Sequence, residues 1–285
     1  MIPERFDYAR ATSVDEAVRQ LSGGGEDAKV LAGGQSLIPL LRLRLAAPTL
    51  LVDVGQVAEM RGVRDEGDHI VIGAATTHSE VLRDPLVAAN AALIVAATRT
   101  VADRQVRHRG TFGGSLAHAD PAGDLPAVAV ALGATFEVAG PGGRRQIPAS
   151  EYFVDYLTTS MAPDELLVAV RVPKRAAGWG NHYEKFHRTA QAWALVGVAA
   201  AVRRENGAIA EARVALTNMG STPVRATGVE EALNGAPATA DAVAAAAARA
   251  AEGTHPTNDI GASAEYRNHM VTVLTRRAVM AAAGL

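Results

Sequence analysis

The chain contains no cysteine among its 285 residues. Without thiols these residues can form no disulfide, no cysteine-ligated zinc site and no iron–sulfur cluster, and they offer no cysteine nucleophile. A lack of disulfides is typical of cytoplasmic proteins, and the cytoplasm is the compartment that we expect. The first ten residues mix acidic and basic side chains and contain no apolar stretch, so we predict no signal peptide.

Aromatic residues, long apolar runs and excess charge are also scarce. Aromatic residues make up 4% of the chain, and the formal net charge is −2. Nucleic-acid binding needs a concentrated basic face, so we predict no nucleic-acid partner. No uncharged apolar stretch approaches the roughly 20 residues that span a bilayer, so we predict a soluble chain without a transmembrane segment.

One dense basic cluster stands out against this background. Its members are Arg99, Arg104, Arg107, His108 and Arg109. Such a cluster fits a solvated helix end and fits an anion-facing surface about equally well. The sequence leaves both interpretations open.

The first 55 residues predict a small α/β unit. Ser13–Glu16 has the pattern of a capping box in front of an amphipathic helix. Lys29–Ala32 and Thr49–Val54 have the composition of short buried strands. Between them, leucines recur at helical spacing, and Pro39 is expected to mark the start of that helix because proline is tolerated at the first helical position.

Residues 56–175 predict a second unit that joins the first in one domain, residues 1–175. The expected elements are a strand at His69–Ala74, a capping box at Thr77–Glu80, a long helix over Leu86–Val101, an apolar run at Leu125–Leu132, a hairpin over Thr135–Ile147 and a closing strand at Leu166–Val172.

A domain boundary is predicted between Pro173 and Gly180, where proline, glycine and a charge cluster coincide. Residues 176–285 then form a C-terminal domain. Its expected elements are a strand over Asn181–Arg188, a hairpin that turns at Asn206-Gly207, and helices over Thr239–Glu252 and Ser263–Ala283.

Two glycine pairs are the candidates for phosphate binding. No P-loop pattern occurs, and the single G-x-G-x-x-[GA] match follows a helix and precedes a strand, the reverse of the dinucleotide-binding context. Gly33-Gly34 follows an apolar strand, and Gly113-Gly114 is flanked by Thr111 and Ser115. Glycine allows positive φ and a close approach of backbone N–H groups to a phosphate. Either pair alone fits an ordinary tight turn better.

Other polar residues near these loops offer weaker signals. Asp120 and Asp124 could accept hydrogen bonds from sugar hydroxyls, or cap the turn before the Leu125 helix, and the two roles are compatible. His182 and His187 are five apart, which places them on opposite faces of a strand. We therefore predict neither a metal site nor a catalytic acid–base constellation on this chain.

Four sequence segments, in order, carry a resemblance to a known family. They are the A-G-G-x-S loop at residues 32–36 with the leucine-rich stretch that follows to Arg44, the run T-x-G-G-S-L-x-x-A-D-P-x-x-D-x-P at residues 111–126, Leu216–Met219 with Thr222–Ala226, and Tyr266–Met270 with Arg276–Ala278. Together they resemble the FAD-binding medium subunit of molybdenum hydroxylases, of the carbon monoxide dehydrogenase and xanthine dehydrogenase type.

The resemblance implies an α+β fold, in which a two-subdomain FAD-binding domain of the PCMH type precedes a C-terminal domain with a small antiparallel sheet and helices. It assigns residues to the cofactor FAD. These are Val30, Leu31, Ala32, Gly33, Gly34, Gln35, Ser36 and Leu37 on the pyrophosphate and adenosine side, Thr111, Phe112, Gly113, Gly114 and Ser115 at the second phosphate, and Asp124, Leu166 or Leu167, and Lys185 at the flavin.

Two positions depart from the carbon monoxide dehydrogenase pattern. Gln35 stands where those proteins usually have histidine, and Ala192-Trp193 where they have aspartate and tyrosine. Trp193 could stack on the flavin in place of that tyrosine, or it could pack in the core. The resemblance therefore points to the family and not to carbon monoxide as the substrate.

The family's activity implies a division of labour between subunits. The molybdenum cofactor is expected on a large subunit, two [2Fe–2S] clusters on a small subunit, and FAD on this chain, with electrons leaving from FAD to an external acceptor. A dimer of heterotrimers is the expected assembly. The alternatives are a self-sufficient FAD-dependent oxidase or reductase, and a non-catalytic scaffold that binds a nucleotide for stability.

Overall fold

A computed structural model describes residues 2–175 and 178–285 of the chain. The fold is α+β, with three main sheets and helices packed on them, as the resemblance implies. Residues 176 and 177, at the predicted domain boundary, lie outside the described residues, and the boundary itself stays a prediction. In the described part of the chain, no helix combines the length and apolar character needed to cross a membrane.

The first sheet has three parallel strands in the order β1-β3-β2. Its elements are β1 Asp7–Arg10, α1 Val14–Gly24, β2 Ala28–Leu31, α2 Leu37–Leu43 and β3 Leu50–Asp53. All three strands end at the same edge of the sheet, and the carboxyl edge of parallel strands is where α/β folds bind ligands. The first glycine pair directly follows β2 at this edge.

The second sheet has five antiparallel strands in the order β4-β5-β10-β6-β7. Its strands are β4 Val63–Glu66, β5 His69–Gly73, β6 Thr135–Gly140, β7 Gly143–Pro148 and β10 Leu166–Pro173, and β8 Phe153–Asp155 pairs separately with β9 Thr158–Thr159. The accompanying helices are α3 His78–Val81, α4 Pro85–Asn90, α5 Ala92–Thr100, α6 Arg104–Arg109, α7 Phe112–Ala117, α8 Asp124–Leu132 and α9 Ala149–Tyr152. The predicted closing strand, β10, lies in the centre of the sheet.

The third sheet has four antiparallel strands in the order β11-β12-β13-β14. Its elements are β11 Trp179–Phe186, β12 Val196–Glu205, β13 Ala208–Thr217, β14 Val224–Arg225, α10 Thr227–Leu233, α11 Ala240–Ala247 and α12 Ala264–Ala283. Asn206 and Gly207 both have positive φ, as the predicted Asn-Gly hairpin turn requires.

Both faces of this third sheet are covered. Because successive side chains alternate between faces, Ala199 and Ala201 of β12 join the core formed with α5 and α8, whereas Val198 and Val202 join the core formed with α12. Tyr183 of β11 belongs to the first of these cores. The C-terminal sheet therefore presents one face to the helices of the preceding part of the chain.

Three local predictions were wrong. Helix α2 begins at Leu37 and not at Pro39, because a proline anywhere in the first turn lacks only an N–H that has no helical partner. The helix expected over Leu86–Val101 divides at Ala91, where the Asn90 side chain donates to the Leu86 carbonyl and competes with the helical backbone. The first capping box is half formed, because the Glu16 carboxylate bonds Thr12 instead of the Ser13 N–H.

Candidate functional site

The first glycine loop offers a row of unused backbone donors. Gly34 adopts a φ of 72°, which turns the chain sharply between β2 and α2. Among the described residues, no protein acceptor receives the N–H groups of residues 32–37. Successive free N–H groups at the start of a helix form a concave anion site. The loop therefore fits a phosphate without needing a charged side chain.

The second glycine loop is built differently. Thr111 caps α7, its hydroxyl accepting the Gly114 N–H at 3.1 Å. The Phe112 N–H donates to the Thr76 carbonyl at 2.8 Å, and the Gly113 N–H donates to the Ala74 carbonyl at 2.9 Å. Protein carbonyl groups therefore already accept the Phe112 and Gly113 N–H groups, a pairing that the sequence did not predict. Phosphate binding by Thr111–Ser115 stays a prediction.

The two loops touch each other through Gly33. A Cβ atom at Gly33 would lie 2.5 Å from the Arg109 carbonyl oxygen, 2.7 Å from the Gly110 Cα and 3.0 Å from the Thr111 nitrogen. Only glycine allows this approach, since real Cβ contacts do not come so close. The structure thus brings together the two loops that the sequence singled out.

A buried ion pair lies where the C-terminal sheet meets α8. The Lys185 ammonium is 2.8 Å from Asp124 Oδ2 and also donates to the Thr100 carbonyl, and the side chains of Lys185 and Asp124 are 3% and 5% exposed. The Tyr183 hydroxyl donates to Asp124 Oδ1 at 2.8 Å and lies 3.2 Å from Thr217 Oγ1. Both Asp124 oxygens therefore have partners.

The two aspartates take different roles. Asp120 accepts the Ala122 N–H at 2.9 Å and so stabilises the turn. Asp124 is the first residue of α8, and its carboxylate bonds Lys185 and Tyr183. Burial raises the pKa of Asp124, against the opposing effects of the Lys185 ammonium and the Tyr183 hydrogen bond, and burial also raises the pKa of Tyr183.

His78 lies under the contact between the loops. It is buried, its backbone N–H donates to the Gly110 carbonyl, and its ring Nδ1 has no partner among the described residues. Burial, with a smaller effect from Arg107, lowers the pKa of His78 to about 4. The imidazole is therefore neutral at physiological pH, and its ring packs against Gly110.

The remaining residues that the resemblance assigns to FAD differ in how deeply they are buried. Val30 and Leu31 are half-buried in β2, whereas Leu166 and Leu167 are buried in β10. Trp193 is 55% exposed, so the alternative that it packs in the core is wrong. Contact of these side chains with a flavin stays a prediction.

Asn218, which lies in one of the four sequence segments named above, connects two segments near the ion pair. The Asn218 N–H donates to the Pro121 carbonyl at 2.8 Å, and its side-chain amide donates to the Ala194 carbonyl at 2.8 Å. Asn218 has a φ of 62°, a region that asparagine tolerates better than most residues. It links the segment before Asp124 to the segment that carries Trp193.

Replacing Tyr183 with phenylalanine is expected to lower the free energy of unfolding by about 1–3 kcal/mol, because one buried carboxylate oxygen loses its donor. Urea denaturation followed by circular dichroism measures this change. Tyr156→Phe is the matched control, since Tyr156 is exposed. Equal denaturation midpoints for the two variants would contradict the assigned role of Tyr183.

Comparisons with known proteins identify the family of this chain. Residues 4–175 match the family described as the FAD binding domain in molybdopterin dehydrogenase, and residues 181–282 match the CO dehydrogenase flavoprotein C-terminal domain. The chain belongs to this family of FAD-binding medium subunits, as the sequence resemblance predicted, and it is an oxidoreductase subunit.

Individual relatives are similar over their full length. The carbon monoxide dehydrogenase medium chain of Hydrogenophaga pseudoflava is 41% identical over 282 residues, covering 99% of this chain and 98% of the relative. A solved structure of the Hydrogenophaga pseudoflava enzyme superposes with a TM-score of 0.96 at 43% identity, covering 99% of this chain and 98% of that one. Quinoline 2-oxidoreductase from Pseudomonas putida 86 superposes with a TM-score of 0.95 at 33% identity, covering 100% and 99%.

Proposed function

We propose that this chain binds FAD and carries electrons from the [2Fe–2S] clusters of a partner subunit to an external acceptor. The observation that carries the proposal is the row of free N–H groups at residues 32–37, held against the second loop by Gly33. FAD contains a pyrophosphate, and such a row neutralises phosphate oxygens through dipoles. The flavin, when bound, supplies the redox chemistry, and the protein binds and orients it.

The chain's own residues divide the work. Residues 32–37 hold the pyrophosphate, and the second loop fixes their position. We expect the pair of Asp124 and Lys185 to mark the flavin end of the site. The Tyr183 hydroxyl donates to the Asp124 carboxylate and so holds it in one orientation. Their charges compensate each other, so the pair offers the flavin an oriented dipole more than a net positive charge.

The absence of cysteine supports a division of the redox path between subunits, because these 285 residues cannot ligate an iron–sulfur cluster. The proposed partners are a small iron–sulfur subunit and a large subunit with the molybdenum cofactor, assembled as a dimer of heterotrimers in the cytoplasm. Relatives whose names specify carbon monoxide and quinoline share this fold, so the fold of this chain does not select the substrate.

Purification of the tagged chain from its native host tests the proposal. We expect two further subunits to purify with the chain, and we expect the complex to contain iron, molybdenum and FAD. Its absorbance spectrum should show oxidised flavin, and this absorbance should decrease when substrate is added. The chain expressed alone is expected to bind FAD and to turn over no substrate of the complex.

The same experiment separates the alternatives. Full turnover by the isolated chain would support a self-sufficient oxidase or reductase and contradict the subunit role. A colourless chain that takes up no FAD would contradict both flavin functions and leave the scaffold interpretation.

A further inference from the structure

A charged cavity of about 440 Å³ lies between the first sheet and the helices α3 and α6. Its charged walls are Arg10, Asp53, Arg61, Glu80, Arg83 and Arg109. Four guanidinium groups thus face two carboxylates. A volume of this size is in the range of small-molecule sites.

Both carboxylates of the cavity are already occupied. Asp53 accepts hydrogen bonds from the Tyr8 hydroxyl and from the Gly55 N–H. Glu80 pairs with Arg61 at 2.7 Å and completes the capping box of α3. Over residues 2–175 and 178–285, no carboxylate pairs with Arg10, Arg83 or Arg109. Arg10, Arg83 and Arg109 therefore face the cavity without an ion-pair partner among the described residues. Asp53, whose hydrogen-bond donors are neutral, keeps its charge and offsets one of these three positive charges.

One of these guanidinium groups is held in place by the protein. Arg83 donates through Nε to the Ser79 carbonyl and through Nη2 to the Ser79 hydroxyl, both at 2.9 Å. The remaining N–H groups of Arg83 are free for a ligand. A fixed guanidinium loses less side-chain entropy when it binds an oxyanion, and its planar fork matches phosphate oxygens.

The basic cluster that the sequence left open is divided by the structure. Arg107 donates to the Val101 and Ala102 carbonyls and so serves the fold of α6. His108 and Arg109, at the end of α6, line the cavity. Part of the cluster is therefore structural, and part of it faces the cavity.

The cavity is separate from most of the FAD cradle. Of the residues assigned to FAD, only Ala32 and Thr111 line it, and these are near the beginnings of the two loops. The cavity therefore adjoins the beginnings of both loops and shares only these two residues with the FAD assignment.

We propose that this cavity is a second anion site, which binds a small phosphate or pyrophosphate compound beside the loops that hold FAD. Arg10, Arg83 and Arg109 come from three separate segments, and only Asp53 opposes them outside the Arg61–Glu80 pair. The resulting excess of positive charge favours an anion of about two negative charges. Its source could be the free inorganic anion or a nucleotide, since both carry the same group.

Calorimetric titration of the full chain with inorganic pyrophosphate, at constant ionic strength and with FAD present, tests the proposal. We expect saturable binding of one equivalent, weakened at least tenfold by Arg83→Gln and by Arg109→Gln, with a smaller loss for Arg109→Lys, which keeps the charge. Arg19→Gln, at an exposed position on α1, is the control and should bind as the unaltered chain does. Tighter binding of ADP than of pyrophosphate would assign a nucleotide, and equal binding would assign the inorganic anion.

Three outcomes would overturn the second site. The first is no saturable binding, and the second is binding that neither arginine substitution weakens. The third is binding to the FAD-free chain that FAD abolishes, which would mean that the cavity belongs to the FAD site. Because FAD uptake is measured in the same samples, failure of the second site is distinguishable from failure of the proposed function.

Discussion

Replacing Lys185 with methionine is expected to lower the free energy of unfolding by about 3–5 kcal/mol at neutral pH, the usual cost of leaving one member of a buried ion pair alone. Asp124, whose side chain is 5% exposed, would keep the Tyr183 hydroxyl and lose its only cationic partner among the described residues. Chemical denaturation of the FAD-free chain measures the change without interference from bound cofactor.

The pH dependence of this variant has a definite sign. Burial already raises the pKa of Asp124, and removal of the ammonium raises it further. A carboxyl whose folded pKa exceeds its unfolded pKa loses stability as the pH rises between the two values. The deficit of Lys185→Met should therefore shrink as the pH is lowered towards the unfolded pKa of aspartate.

Two control variants separate the buried pair from a general effect of lost charge. Lys174 pairs with Asp65 at the surface, so Lys174→Met should cost no more than about 1 kcal/mol. The double variant Asp124→Asn, Lys185→Met removes both charges and should recover much of the loss. A single Lys185→Met variant as stable as Lys174→Met would show that the pair is not buried as described.

Replacing Gly33 with alanine is expected to weaken FAD binding by about 10–100-fold. The added methyl would meet the backbone of residues 109–111 within 3.0 Å, and backbone cannot move aside as a side chain can. Overpacking of this kind costs about 1–3 kcal/mol, and each 1.4 kcal/mol is a factor of ten in affinity. Fluorescence titration of the FAD-free protein gives the affinity directly.

Gly23→Ala is the matched control for this substitution. Gly23 lies in α1, and a Cβ atom there would have no neighbour within 4 Å. Alanine favours helix over glycine, so stability should stay equal or rise by up to about 1 kcal/mol with FAD affinity unchanged. An unaltered FAD affinity in Gly33→Ala would mean that the contact between the loops does not shape the cradle.

Much of this architecture could be predicted from local signals. The Asn206-Gly207 turn, the capping box at Thr77 and the alternation that places Tyr183 and Lys185 on one face all depend on neighbouring residues. The break at Ala91 was missed because the apolar periodicity continues through it, and only the Asn90 side chain marks the end of the helix.

The site was less accessible to sequence reasoning, because its contacts join distant segments. The glycine pairs were identified, but the pairing of Phe112 and Gly113 with Thr76 and Ala74 depends on how the chain returns to its own strand β5. In the same way, the face shared by Tyr183 and Lys185 follows from strand periodicity, whereas their meeting with Asp124 requires α8 to pack on that face.

The ion pair between Asp124 and Lys185 also constrains how such chains can evolve. The two residues are 61 positions apart and come from the two sides of the predicted domain boundary. A mutation of either one alone leaves a buried charge, so the single-mutant intermediates are selected against. Positions 124 and 185 should therefore vary together among related chains. Exchange of one half of the protein by recombination should succeed only when the residues at these two positions can still form the buried pair.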